Sequence, residues 1–140
     1  MNDPRAEADR WFRQAGNDLL FARRGSSEGF HAQACFLSQQ AAEKAVKAIH
    51  YLSGERYVLG HSVHQLLHSL EDRMPEAMAL LETGGLLDQF YIPTRYPNGL
   101  PEGAPYEVYT SGQADEAVRG AQTILDFAAG ALSRHQGAGG

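Results

Sequence analysis

Residues 34–47 read Ala34-Cys35-Phe36-Leu37-Ser38-Gln39-Gln40-Ala41-Ala42-Glu43-Lys44-Ala45-Val46-Lys47, and their spacing decides the fold. Ala34, Cys35, Ser38, Ala41, Ala42 and Ala45 recur at intervals of three and four, and Ile49 and Leu52 extend the series. That period marks one apolar face of an α-helix. The face is built from small residues, which let neighbouring helices approach closely, as the centre of a bundle requires. The pattern predicts a helix over residues 30–53 with Gly54 as its C-terminal cap. Gln40, Glu43, Lys44 and Lys47 fall on the other side, and Glu43 and Lys47, four apart, form a favourable surface pair.

Helical patterns flank this segment on both sides. Before it, residues 4–24 carry Trp11, Ala15, Leu19 and Ala22, with Phe12 and Leu20 alongside, and Gly25-Ser26-Ser27 ends the run. After it, Ser62 followed by Gln65 fits a capping box opening a third helix, with Val63, Leu66, Leu67 and Leu70 as its apolar face. Pro75 can open a fourth helix at its first turn. That helix carries Met78, Leu81, Leu86, Leu87 and Phe90, with Gly84-Gly85 as a possible break. Pro93, Pro97, Pro101 and Pro105 then recur every four residues, which forbids a regular helix and disfavours a hairpin. Residues 91–110 therefore read as a long loop, and loops of that length are uncommon unless functional. Val118, Ala121, Leu125, Ala128 and Leu132 mark a last helix over about 111–133. Neither a strand nor a repeat is evident. The expected fold is an all-α, up-and-down helical bundle of about five helices, with a long Pro/Gly-rich loop before the last one. It forms one domain over residues 1–135, and residues 136–140 read as a flexible tail.

Composition bounds the function. The chain has 140 residues, 17 of them acidic and 12 basic, for a net charge of −5. A strongly basic nucleic-acid groove is disfavoured, because the global field repels phosphate and only a local cationic patch would bind it. The single cysteine, Cys35, excludes an internal disulfide and a four-cysteine zinc site. Apolar runs are far shorter than the roughly 20 residues a membrane span needs. With no signal-like core near the start, no membrane association is expected and a cytoplasmic location is.

The most informative stretch is Tyr91-Ile92-Pro93-Thr94-Arg95-Tyr96-Pro97. It sets a guanidinium between phenols on a proline-stiffened backbone. Arg95 can fork onto a phosphate, and Tyr91 or Tyr96 can stack on a base. Equally, Arg95 can tie down loop carbonyls while the tyrosines, Tyr106 and Tyr109 included, plug the bundle end. Lys44 and Lys47 either lie on a solvated face or add charge to a shared anion site. His64 and His68, four apart, share a helix face, but no further ligand accompanies them, so no metal site is assigned. His61, just before the helix, can instead pack or hydrogen-bond at its entrance. Cys35 lies in the apolar stripe and reads as a buried structural thiol. No serine-nucleophile elbow, phosphate loop or dinucleotide fingerprint is present, and no cofactor is called for.

Taken together, the residues resemble the HEPN (higher eukaryote and prokaryote nucleotide-binding) domain family. The 34–47 helix is similar to its second helix. Trp11 with Asp18-Leu19 matches its opening, and His61-Ser62-Val63 before Leu66-Leu67 its third helix. Asp88 through Pro97 matches its Tyr-x-x-x-Arg-Tyr-Pro segment. The similarity spans about residues 8–133 and is to the small stand-alone bacterial type. It implies a helical bundle that forms a homodimer and binds a nucleotide or nucleotide-containing substrate. It also implies a minimal nucleotidyltransferase as partner, in a toxin–antitoxin or nucleotide-handling module. The site it suggests is Arg95, Tyr91, Tyr96, Lys44 and Lys47. Many members are metal-independent RNases with an Arg, four to six residues, then a His on a late helix. Here no His follows Arg95 at that distance; Arg56/His61 and Arg24/His31 fit the spacing away from the usual position. A non-enzymatic binding module is therefore expected first. The alternative is an RNase toxin in which Arg95 stabilises phosphate charge and His61 is the base.

Overall fold

The computed structural model describes residues 3–139, and the side chains of residues 3–135. Helix α1 (Pro4–Ser27) begins where the Asp3 side chain accepts a hydrogen bond from Arg5 N at 3.0 Å. Pro4 takes a first-turn position that needs no N–H. After α1, Gly29 adopts a positive φ of 91°, a conformation glycine reaches without penalty. The short turn sends α2 (His31–Leu52) back along α1. The small-residue face of α2 is fully buried, with Ala34, Cys35, Ser38, Ala41, Ala42 and Ala45 at 0% exposure. Because these side chains are short, α1 and α6 (Ser111–Gly139) both seat closely on α2. Helix α1 contributes Ala8, Ala15, Leu19 and Ala22 to the shared core; α6 contributes Ala117, Ala121, Ile124, Leu125 and Ala128.

The middle of the chain braces this trio. Ser62 caps α3 (Val63–His68), its Oγ accepting from Gln65 N at 3.0 Å. The Asp88 carboxylate ends α4 (Leu81–Asp88) and adds a second cap to α3. It accepts from Ser62 Oγ at 2.8 Å, Val63 N at 2.8 Å and His64 N at 3.1 Å. Buried Gln39 on α2 ties the joint together, its Nε2 donating to Asp88 Oδ1 at 3.2 Å and to the His61 carbonyl at 2.7 Å. The loop after α2 is held by His50, whose Nδ1 lies 2.5 Å from Glu55 and whose Nε2 lies 3.0 Å from the Leu66 carbonyl.

The all-α bundle is as expected, with differences in its smaller parts. Six α-helices form among the described residues rather than about five, because the proline-rich stretch is folded. Pro97–Gly99 makes a 3₁₀ turn and Pro105–Val108 a single-turn helix, α5. Both prolines sit at the first position of their turn, so their spacing permits short helical turns while forbidding a long helix. The fourth helix starts as a 3₁₀ segment, Pro75–Leu80, and α4 then runs unbroken through Gly84-Gly85. A Cβ on Gly84 would lie 3.1 Å from both His64 N and Leu67 Cδ1. The glycine thus marks where α4 crosses α3, not a break. No strand occurs among the described residues. The tail expected at 136–140 lies outside the residues whose side chains are described.

Removing the Asp88 carboxylate takes the acceptor from the Val63 and His64 N–H groups and from Ser62 Oγ, and leaves the Gln39 amide only its bond to the His61 carbonyl. A lost cap costs about 0.5–2 kcal/mol, and unsatisfied buried donors cost about 1–3 kcal/mol each. Asp88→Ala should therefore lower unfolding free energy by roughly 2–3 kcal/mol in urea denaturation, with little change for the exposed control Gln89→Ala.

Candidate functional site

The turn after α4 carries Tyr91, Arg95 and Tyr96, and it folds back over the first half of α2. The Arg95 guanidinium carbon lies 4.5 Å from the Phe36 ring centroid, 4.8 Å from that of Tyr91 and 5.2 Å from that of Tyr96. Its Nε donates to the Tyr91 carbonyl at 2.9 Å. Cation–π contact and this bond fix the guanidinium plane. Arg95 is exposed, and among the described residues no carboxylate pairs with it and its terminal nitrogens make no hydrogen bond. A stacked guanidinium keeps these donors available for bidentate binding of an oxyanion. One nitrogen of Arg95 thus secures the loop through the Tyr91 carbonyl, and its two terminal nitrogens make no further hydrogen bond among the described residues.

His61 stacks on Tyr91, with centroids 5.2 Å apart and planes 18° apart. Its Nδ1 lies 3.4 Å from each oxygen of the Glu43 carboxylate. Glu43 also pairs with Lys47 at 3.1 Å and accepts from Gln40 Nε2 at 3.4 Å. Phe36, Gln40, Glu43, Lys44, Lys47 and Tyr51 succeed one another at steps that keep them on one side of α2. That side is the floor joining two aromatic groups. Near its far end Lys47 lies 5.7 Å from the Trp11 centroid, and Trp11 stacks on Tyr51 at 5.2 Å.

The structure brings Arg95, Tyr91 and Tyr96 together and adds His61 to them. It treats the two lysines differently. Lys44 turns to α1 and meets Asp18 at 2.5 Å, beside a cleft lined by Arg10, Trp11 and Gln14. Lys47 reaches the group only through Glu43. The Glu43–Lys47 pair is not on a solvated surface: the two side chains are 5% and 7% exposed. The helical wheel of α2 alone marks that side as polar. Trp11 of α1 and the two segments bearing His61 and Tyr91 then cover it, which only the tertiary fold reveals. Each lysine already has a carboxylate partner, so the open cationic fork of the cluster is Arg95. Phe36 and Glu43 escaped sequence reasoning as site members. Their signal was faint: an aromatic in register with the polar side of α2, and a carboxylate seven residues on.

The remaining candidates lie elsewhere. His64 and His68 are exposed on α3, away from the side on which His61 meets Glu43. Tyr109 packs edge-on against Phe90 at 6.1 Å, partly buried on the core, while Tyr106 is exposed. Arg24 lines an apolar patch with Phe21 and Phe30, and Arg56 lies in the exposed loop after α2.

The chain as a whole is similar to known proteins. The model of the HEPN domain family matches residues 8–132. The solved structure of TT1696 from Thermus thermophilus is 39% identical, covers 89% of this chain and 98% of its own, and superposes with a TM-score of 0.85. ST0689, an archaeal HEPN homologue, is 40% identical over 90% of this chain and 98% of its own, with a TM-score of 0.75. TM0613, a HEPN domain protein from Thermotoga maritima, is 34% identical over 89% of this chain and 98% of its own, with a TM-score of 0.71. No curated protein matches significantly. The chain belongs to the HEPN domain family. No helix among the described residues is long and apolar enough to cross a membrane.

Cys35 takes no part in the site. Burial, helped by the negative charge of Glu116, pushes its thiol up to about 12, so almost no thiolate forms near neutrality. A thiol-reactive disulfide reagent at about pH 8 should leave the native protein unmodified and label one thiol only after denaturation. Rapid native labelling would show that α2 opens where the core is drawn closed.

Proposed function

We propose that this protein is a non-enzymatic nucleotide-binding or substrate-binding helical module that works as a homodimer, with a minimal nucleotidyltransferase as its partner. One observation carries the reading: Arg95 presents an open fork on a platform of three aromatic rings. Arg95 receives the phosphate there, and Tyr96, 50% exposed, offers a face for a base. Tyr91 supports both Arg95 and His61. Lys47 contributes through Glu43 and Lys44 through the α1 side, each as a neutralised charge. The dimer and the partner rest on family membership. A site with one open guanidinium suits a protein of net charge −5, because the local field governs contact with a small ligand.

Isothermal titration with ATP, GTP and a nonhydrolysable analogue tests this. A charge-assisted hydrogen bond is worth about 1.5–3 kcal/mol, so Arg95→Ala should weaken binding by roughly 10- to 150-fold. Absence of binding below millimolar, or an Arg95→Ala protein that binds equally well, contradicts the reading.

A second reading, a metal-independent RNase toxin, draws support from a separate observation. His61 and Arg95, 34 positions apart, both contact the Tyr91 ring. A proton acceptor and a charge stabiliser on one ring are what phosphodiester cleavage by an adjacent 2′-hydroxyl requires. Expression without the partner then arrests growth and degrades RNA; a harmless protein contradicts it.

A further inference from the structure

We propose that Glu43 is the positioning residue for His61, holding its Nδ1 as the donor so that Nε2 is the proton-accepting atom of a ring that shares Tyr91 with Arg95. The inference rests on the RNA-cleavage reading for its chemistry and on Glu43, His61 and Lys47 for its geometry.

An ionised carboxylate only accepts hydrogen bonds. With Nδ1 at 3.4 Å from both Glu43 oxygens, the shared proton belongs on Nδ1, and a neutral ring then bares its lone pair on Nε2. The His61 side chain is 61% exposed while Glu43 is 5% exposed. The ring therefore spans from a buried anchor to the solvent. Stacking on Tyr91 restricts its rotation, and the same Tyr91 ring underlies Arg95. Glu43 is itself held at three points, by Lys47, Gln40 and His61. A buried ion pair is a weak source of stability compared with apolar packing of the same volume. Its place under an exposed histidine gives this one a positional use, as a carboxylate does for a histidine in other proton-transfer sites.

The step balances as follows. A ribose 2′-hydroxyl gives its proton to His61 Nε2 as its oxygen bonds to the adjacent phosphorus. The bond from phosphorus to the 5′-oxygen breaks, and water supplies the proton to that leaving oxygen. The products are a 2′,3′-cyclic phosphate and a 5′-hydroxyl, and His61 returns its proton to solvent. Arg95 balances the charge on the phosphoryl oxygens.

Long-range ¹⁵N–¹H NMR of the uniformly labelled full chain, with His61→Gln to assign the ring, reads the tautomer directly at about pH 8.5, where imidazole is neutral. Wild-type His61 should carry its proton on Nδ1. Glu43→Leu combined with Lys47→Met replaces the pair without stranding a buried charge, and should move the proton to Nε2, the tautomer free imidazole prefers. Lys47→Met alone should keep it on Nδ1. Cleavage of a labelled RNA oligonucleotide, followed in parallel, should fall roughly 10- to 100-fold in the double variant, the usual scale for losing an orienting partner. A proton on Nε2 in the wild type, or an unchanged tautomer in the double variant, overturns the proposal. The wild-type tautomer decides this even if the double variant does not fold. A tautomer switch with no RNA cleavage by the wild type supports the role of Glu43 and overturns the cleavage reading alone.

Discussion

The carboxylate of Asp88 accepts hydrogen bonds from Gln39, Ser62, Val63 and His64, and the candidate site depends on that junction. It joins the end of α4 to the start of α3 and fastens both to α2. His61 immediately precedes Ser62, and its carbonyl is held by the same Gln39 amide. Tyr91 follows Asp88 by three residues. One partly buried polar joint therefore sets where the His61 ring and the Tyr91 ring meet. Such a joint is worth keeping only when every donor is satisfied, and here the donors named all are. The Arg95 turn then hangs from Tyr91 through the Nε bond and the ring contacts.

Helix α2 serves both the fold and the site because its two sides differ. The small-residue side gives α1 and α6 close seats and supplies the core. The other side carries Phe36 under Arg95, Glu43 under His61 and Lys47 over Trp11. Movement of α2 would disturb the bundle and the site together. The pairing of Lys44 with Asp18 and of Lys47 with Glu43 also focuses the electrostatics. Two of the twelve basic residues are neutralised beside the site, and the guanidinium with an open fork is the one on the aromatic platform.

The apolar rhythm of α1, α2 and α6 was readable from the sequence because a helix repeats its environment every three to four residues. The Ser62 cap was readable because it is local. The prolines of the 91–110 stretch do bar a long helix, but Pro97 and Pro105 each also open a short turn, a role that depends on the following two or three residues. Gly84-Gly85 looked like an interruption, whereas the cause is the close crossing of α3, which no local pattern records. In the site, Tyr91, Arg95 and Tyr96 were legible as one compact segment. Glu43 and Phe36 were not, because their burial and partners come from residues 11, 61 and 91–96. Long-range cover decides whether a helical charge is solvated, and sequence spacing alone carries no information on it.

The central claim is that Arg95 and the aromatic rings around it form the surface that meets a phosphate-bearing ligand. Two-dimensional NMR of the labelled protein during titration with a nucleotide tests it most directly, since the Arg95 Nε–H reports on its own guanidinium. The predicted result is saturable shifts confined to Arg95, Tyr91, Tyr96, His61 and Phe36. Shifts that instead cluster around Arg10, Trp11 and Lys44, with Arg95 unmoved, would contradict it.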